Sequence, residues 1–344
     1  MRAWVTQNGQ NFLKFKRTNF HSIRRGCSSS PSIQDRDRCK TLGTSSYDLL
    51  QGRFMIPAQE VSTLVTANHM RVEELLSSLI KPASHLARPP ISGYHVGAAG
   101  VGSSGAVYVG VNLEFPGAPL NNSIHAEQFL VANCILHGEE SLSMLAVSAA
   151  PCGHCRQFYA ELVHSDKVRF IFGEDATPRL LDDLLPSRFG PQDLSPDGPF
   201  PLLMQPHDNK VLYSKPTLKL LEERNEDTVF LSAAQAALKE AQKSYTPYTH
   251  SPSGASIITD GGHVFSGGYM ESAAYNPSLS PFHAAYIHAV TGGMTGFSQI
   301  REVVLAEVKQ GSAVYHKNNI KLLLKAVAPQ ANITVLNLQY KSGK

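Results

Sequence analysis

Cysteine is scarce in this chain, with five in 344 residues, and so small and odd a number excludes a disulfide-built scaffold. Reduced thiols or metal ligands remain, which points to a reducing compartment. Long apolar runs are missing as well; no stretch reaches the roughly 18 residues that a membrane-crossing helix needs. An excess of one charge is also absent, since 31 Lys and Arg stand against 28 Asp and Glu for a net +3. That balance argues against a protein that coats a nucleic-acid duplex. What is present, 42% hydrophobic and 17% charged residues, is an ordinary globular composition with length for two domains. Disordered and collagen-like chains are excluded, and small-molecule chemistry is the natural expectation.

Acidic residues are missing from the first 34 positions, which carry Arg2, Lys14, Lys16, Arg17, Arg24 and Arg25 and are rich in serine. Residues 1–54 therefore read as a leader. It is either an organellar transit peptide, for a mitochondrion or plastid, or a tail before a working start at Met55 in a cytoplasmic protein. From Val61 to Ala87 apolar residues recur at helical spacing, punctuated by Pro82. Tyr94 to Val101 and Ala106 to Glu114 read as a hairpin turned by Gly102-Ser103-Ser104-Gly105. Helices are expected over 124–136 and 152–163, and strands over 143–149 and 168–172. The fold class is α/β, a mixed sheet covered by helices, with residues 55–175 as the first domain. Residues 176–228, rich in Pro, Gly and Asp, read as a linker. Residues 229–344 form a second domain that repeats the first at a constant offset of 157. Pro90, Gly97, Ala98, Gly105, Val107, Gly110, Glu114 and Val147 reappear as Pro247, Gly254, Ala255, Gly262, Val264, Gly267, Glu271 and Val304.

The chemistry is concentrated in two segments. His125-Ala126-Glu127 sits at the start of one helix, and Pro151-Cys152-Gly153-His154-Cys155 opens the next. A Cys-x-x-Cys at a helix start puts both sulfurs on one side of the first turn, and a histidine from a neighbouring helix start can supply a third ligand. Three protein ligands and an open position suit a catalytic zinc, one per chain, whereas a structural site closes with a fourth. Helix N-termini favour the thiolates. Glu127 is about 200° round the helix from His125, so it serves better as a proton shuttle than as a ligand. His154 reads as a solvent-facing spacer, Cys134 as core, and Cys27 and Cys39 have no visible partners. On the 157-residue offset His125, Glu127, Cys152 and Cys155 fall on Phe282, Ala284, Lys309 and Ser312, which leaves the second domain without catalytic groups.

His-x-Glu followed by Pro-Cys-x-x-Cys is the signature of zinc deaminases. Over residues 55–340 the chain resembles the two-domain cytidine deaminases of plants and some bacteria. The resemblance rests on Tyr94-His95-Val96-Gly97-Ala98, Val111-Asn112-Leu113-Glu114-Phe115, Ser123-Ile124-His125-Ala126-Glu127-Gln128, Ala150-Pro151-Cys152-Gly153-His154-Cys155-Arg156-Gln157-Phe158 and Arg188-Phe189-Gly190-Pro191. It implies two tandem α/β/α domains, the second degenerate, in a homodimer active in pyrimidine salvage. It further implies that Asn112, Leu113 and Glu114 form the substrate-binding strand end, with Asn112 and Glu114 on the ribose hydroxyls, that the Tyr94 ring packs on the pyrimidine, and that the Ala126 N–H meets the base carbonyl. Alternation along a strand does point Asn112 and Glu114 to one face, where an amide and a carboxylate can bracket a diol; a polar edge face explains them equally.

The expected reaction is hydrolysis of cytidine, and of deoxycytidine, to the uracil nucleoside and ammonia, zinc-activated hydroxide adding to C4 while Glu127 carries the proton. A polynucleotide deaminase would want a basic groove with stacking aromatics, which the core lacks, so nucleic acid is not an expected partner. An inactive zinc-stabilised binding module is the other alternative, and the intact Glu127 speaks against it. No membrane association is expected.

Overall fold

The structure, a computed structural model, describes residues 49–173, 177–195 and 198–341. The leader up to residue 48, its transit-peptide reading, and Cys27 and Cys39 lie outside the described residues. Through the first half run β1 (Met55–Ile56), α1 (Ala58–Ala67), α2 (Val72–Ser84), β2 (Gly97–Gly102), β3 (Val107–Val111), α3 (Ala126–Leu136), β4 (Leu142–Val147), α4 (Gly153–Tyr159), β5 (Arg169–Ile171), β6 (Arg179–Leu180) and α5 (Leu181–Leu184). The second half adds β7 (Val211–Tyr213), α6 (Lys215–Glu223), α7 (Thr228–Lys243), β8 (Ser253–Thr259), β9 (Val264–Gly268), α8 (Pro281–Thr291), β10 (Ile300–Val308), α9 (Lys317–Val327) and β11 (Asn332–Tyr340). The strands form two mixed sheets, ordered β1-β3-β2-β4-β5-β6 and β7-β11-β10-β8-β9. Each centres on an antiparallel hairpin, then a third strand antiparallel to it, then a parallel neighbour. None of the described helices is long and apolar enough to cross a membrane.

The run expected as one helix over 61–87 is two. His69 takes a left-handed φ of 49° between them, and the Glu74 carboxylate accepts the Arg71 N–H to start α2 afresh. Pro82 lies inside α2 rather than ending it. Of the glycines shared by both halves, Gly105 and Gly262 take the positive φ of the hairpin turn, at 84° and 78°. Gly97 and Gly110 have a different cause. A Cβ on either would fall 2.3 Å from the Ile80 carbonyl of α2 or 2.1 Å from the Ala126 carbonyl of α3, and Gly254 and Gly267 meet α7 and α8 in the same way. Helices thus touch the sheet backbone on both faces.

Two boundaries differ from the sequence expectation. Residues 49–54, assigned to the leader, belong to the fold: Leu49, Leu50 and Phe54 are buried in the main core. Phe54 stacks on Phe129 at 5.3 Å, and its carbonyl accepts hydrogen bonds from Val109 N–H and from Asn133. The six-residue segment carries too few apolar positions to show a period. The stretch read as a linker is also structured, since β6 extends the first sheet on β5 and β7 extends the second on β11. Strands of two or three residues borrow their hydrogen bonds from distant partners and leave little trace in local sequence.

The repeat keeps its 157-residue offset through the hairpin and then slips. Pairing of Ala98 with Val147 and of Ala255 with Leu305 matches Val147 to Leu305, not to Val304. The helix caps match His125 to Ser280 and Cys152 to His316, so Glu127 falls on Phe282 rather than Ala284, and Cys155 on Asn319 rather than Ser312. Loops of unequal length cause the slip. The conclusion that no thiol or catalytic carboxylate stands at those positions is unchanged.

The main core runs through both halves, and a smaller one lies within the second. Phe115 packs against Phe282, Tyr286 and Phe297 of the second half at 6.4, 5.5 and 5.4 Å, and α3 lies against α8, so both helices are buried on nearly every face. Phe54→Ala should lower the unfolding free energy by about 3–5 kcal/mol, because a buried ring facing Phe129 cannot be replaced by collapse. Urea denaturation measures it. A loss under about 1 kcal/mol would return residues 49–54 to the leader.

Candidate metal and active site

α3 and α4 both begin at the C-terminal ends of β-structure and aim their first turns at the same point. His125 caps α3 and Cys152 caps α4, each in extended backbone, which frees the first N–H groups of both helices toward the site. His125 Nδ1 lies 3.5 Å from Cys152 Sγ and 3.4 Å from Cys155 Sγ. Zinc bound to sulfur at about 2.3 Å and to nitrogen at about 2.0–2.1 Å sets tetrahedral ligands about 3.5 Å apart, so the donor set fits the ion. Among the described residues this is the only group of three or more His, Cys, Asp or Glu side chains whose ligand atoms come together, all within 4.8 Å.

The electrostatics suit a cation. Hydrogen bonding from Cys155, then from His125, pulls the Cys152 thiol down to about 3, which favours the thiolate that a zinc ligand must be. Cys155 is pushed well up by sharing its proton with Cys152 and by burial, and a dication displaces that proton. Glu127 is buried, at 5% exposure, and desolvation raises its proton affinity, which is what a carboxyl that must take and return a proton requires. Tyr159 O–H donates to the Glu127 carbonyl at 3.2 Å and fixes the first turn of α3 from the far side of α4.

His154 is not a solvent-facing spacer. Its ring stacks on His125 at 4.8 Å and 23°, half-buried, and so restricts the ligand's rotation. Arg156, part of the segment that carries the resemblance but given no role there, braces the cysteine turn: Nε donates to the Pro151 carbonyl at 2.6 Å and Nη1 to the Leu184 carbonyl at 2.7 Å. Its place directly after Cys155 is the only signal the sequence offers. Cys134 is buried mid-helix.

The structure brings Tyr94, Asn112 and Glu114 together, with Leu113 buried between the two polar residues. The Asn112 carbonyl oxygen accepts Val96 N–H at 2.9 Å, and its amide donates to the Tyr94 carbonyl at 2.9 Å. Glu114 Oε2 accepts Ile91 N–H at 2.7 Å and Ser92 N–H at 3.0 Å. Burial raises the affinity of Glu114 for a proton, but the Ser92 and Ile91 hydrogen bonds outweigh it and hold the carboxyl below its usual range. Both residues thereby shape the 91–96 loop that carries Tyr94. Ala126 is fully buried in the first helical position, where its N–H has no carbonyl four residues back.

Two stretches, residues 70–172 and 181–319, match profiles described as the cytidine and deoxycytidylate deaminase zinc-binding region. Cytidine deaminase 1 of Arabidopsis thaliana is 41% identical over 297 residues, which span 83% of this chain and 97% of that protein. The chain belongs to the cytidine deaminase family. A cytidine deaminase of Shewanella pealeana is 38% identical over 272 residues, 78% of this chain and 86% of that one. Among solved structures, cytidine deaminase from Mycobacterium tuberculosis is 31% identical and covers 34% of this chain and 96% of its own, with a TM-score of 0.31. The family signature is the zinc-binding region, and zinc is the deaminase's metal.

Purified protein should hold about one zinc per chain, and Cys152→Ala or Cys155→Ala should reduce it to a trace, since two remaining ligands bind too weakly to retain the ion. Metal analysis of the dialysed protein decides it; two zinc ions per chain would contradict a single site.

Proposed function

We propose that this deaminase hydrolyses cytidine, and deoxycytidine, to the corresponding uracil nucleoside and ammonia, in pyrimidine salvage. The observation that carries the reading is the convergence of His125, Cys152 and Cys155 on one point with the buried Glu127 beside them. When bound, zinc supplies a water made acidic enough to attack C4 at neutral pH. His125, Cys152 and Cys155 would hold the ion. Glu127 receives one proton of the attacking water and delivers it to N3 of the ring, then carries the remaining hydroxyl proton to the C4 amine, so that the C–N bond breaks with ammonia as the leaving group and the C4 carbonyl forms. The Ala126 N–H, at the positive end of α3, donates to the base carbonyl in this reading. Asn112 and Glu114 keep acceptor and donor capacity beyond their loop contacts, enough for two sugar hydroxyls, and the Tyr94 ring covers the base.

The same reading includes a homodimer. Tyr94 and Ile91 stand 61% and 47% exposed on the loop held by Asn112 and Glu114, a surface that a second copy would cover while the nucleoside is bound. Sedimentation of the purified chain measures that state. A deaminase of polynucleotides is separated by comparing ammonia release from free cytidine with release from a cytidine-containing oligonucleotide.

Glu127→Gln should retain zinc and lose about 10²–10⁴ in kcat, because the ligands are intact and only the proton carrier is gone; a variant with a tenth of normal activity would remove Glu127 from the mechanism. Asn112→Ala and Glu114→Ala should raise KM for cytidine by roughly tenfold or more while free cytosine stays a poor substrate. Equal turnover of cytosine and cytidine in the parent protein would deny this pair a role on the sugar.

A further inference from the structure

Among the buried acids that the reaction does not use, Glu161 lies two residues past the end of α4 and is fully inaccessible. Every donor to its carboxylate comes from the degenerate half. Tyr245 O–H and Tyr248 O–H reach Oε2 at 2.7 and 2.5 Å, Ala273 N–H reaches Oε1 at 2.7 Å, and the Ser272 hydroxyl is a fourth partner. The partners are tied to one another. Glu271 Oε2 accepts the N–H groups of Tyr248 and Thr249 at 2.9 and 3.2 Å and lies directly before Ser272 and Ala273. Glu161, Tyr248, Glu271 and Ala273 thus close a ring of hydrogen bonds around the junction of the halves.

Glu271 is the counterpart of Glu114, and it holds Tyr248 and Thr249 as Glu114 holds Ile91 and Ser92, each pair 157 residues apart. It persists in a half where His125, Glu127 and both ligand cysteines have been replaced. Its fold function therefore survives without catalysis, and that function presents the loop after β9 to Glu161. The same loop has a second anchor on the catalytic half: Gln128 Nε2 donates to the Pro277 carbonyl at 2.7 Å, fully buried. Gln128 directly follows Glu127. The loop from Ser272 to Pro277 is accordingly pinned at one end to the chain leaving the cysteine helix and at the other to the first turn of the histidine helix.

We propose that Glu161 is a positioning residue for deamination: through the loop at 272–277 it uses the degenerate half as a rigid jig that sets α3 relative to α4, and with it Glu127 relative to the ion. The inference rests on the roles proposed for Glu127 and the three ligands. One loop anchor lies on α3 and the other just past the end of α4, and neither lies on the 91–96 loop or on Asn112 and Glu114, so a disturbed clasp affects the chemical step more than nucleoside binding.

The test uses full-length, zinc-loaded protein with Glu161→Gln, Tyr248→Phe, Gln128→Ala, and Glu161→Gln combined with Gln128→Ala. Expected are unchanged zinc content, KM for cytidine within about twofold, and kcat per bound zinc lowered about tenfold by Glu161→Gln and less by Tyr248→Phe, which leaves the other donors in place. The double variant should lose no more than the worse single one, because both anchors hold one loop. Unchanged kcat per zinc, a loss confined to KM, or strict additivity of the two anchors would overturn the proposal. Should Glu161→Gln fail to fold, Tyr248→Phe and Gln128→Ala still decide it. Failure of the parent protein to release ammonia from cytidine would instead sink the underlying assignment.

Discussion

A three-donor metal centre made from two helix starts requires that residues 27 positions apart in the chain end within bonding reach of a single ion. A helix start can be placed that accurately only when its whole first turn is held. In this deaminase the sheet provides the reference plane: α3 approaches β3 so closely at Gly110 that a single methyl group would collide with its backbone. Tyr159 then joins the far end of α4 to Glu127. The pairing of thiol, thiolate and imidazole follows from that placement and not from any property of the side chains alone.

Duplication followed by loss shows which residues serve the fold and which serve the reaction. The sheet order around the hairpin, the close-approach glycines Gly254 and Gly267, and the loop-clasping Glu271 all persist in the second half. Ser280, Phe282, His316 and Asn319 stand where His125, Glu127, Cys152 and Cys155 stand in the first. Ser280 now caps α8 by accepting the His283 N–H, a conventional use of that position. Phe282 lies in the shared aromatic cluster with Phe115 and Tyr286. Ligands were exchanged for groups that suit a helix start and a core. The halves could not drift apart meanwhile, because α3 and α8 are apolar on nearly every side and would expose that surface if separated.

Polar groups at the junction explain why the association is specific as well as tight. Apolar packing alone tolerates small rotations of one half on the other, whereas a buried carboxylate with its donors fixed in direction does not. Gln128 and Arg88, whose Nη2 donates to the Met294 carbonyl at 2.8 Å, add further directional contacts across the same boundary.

Much of this protein was legible in its sequence. The metal-binding cluster of His125, Cys152 and Cys155, the hairpin turns at Gly105 and Gly262, and the repeat are all encoded in short spans, where a turn, a helix start or a chelate spacing is dictated by nearest neighbours along the chain. Tertiary structure decided the rest. Leu49, Leu50 and Phe54 joined the core, where Phe129 and Asn133 receive Phe54, and the two- and three-residue strands β6 and β7 exist only where β5 and β11 offer an edge. Asn112 and Glu114 look like free polar groups on a strand until the 91–96 loop folds onto them. Glu161 carries no local signal, since its partners lie 84 to 112 residues away. A side chain whose role is set by groups that only folding brings near it has no pattern to show in the sequence around it.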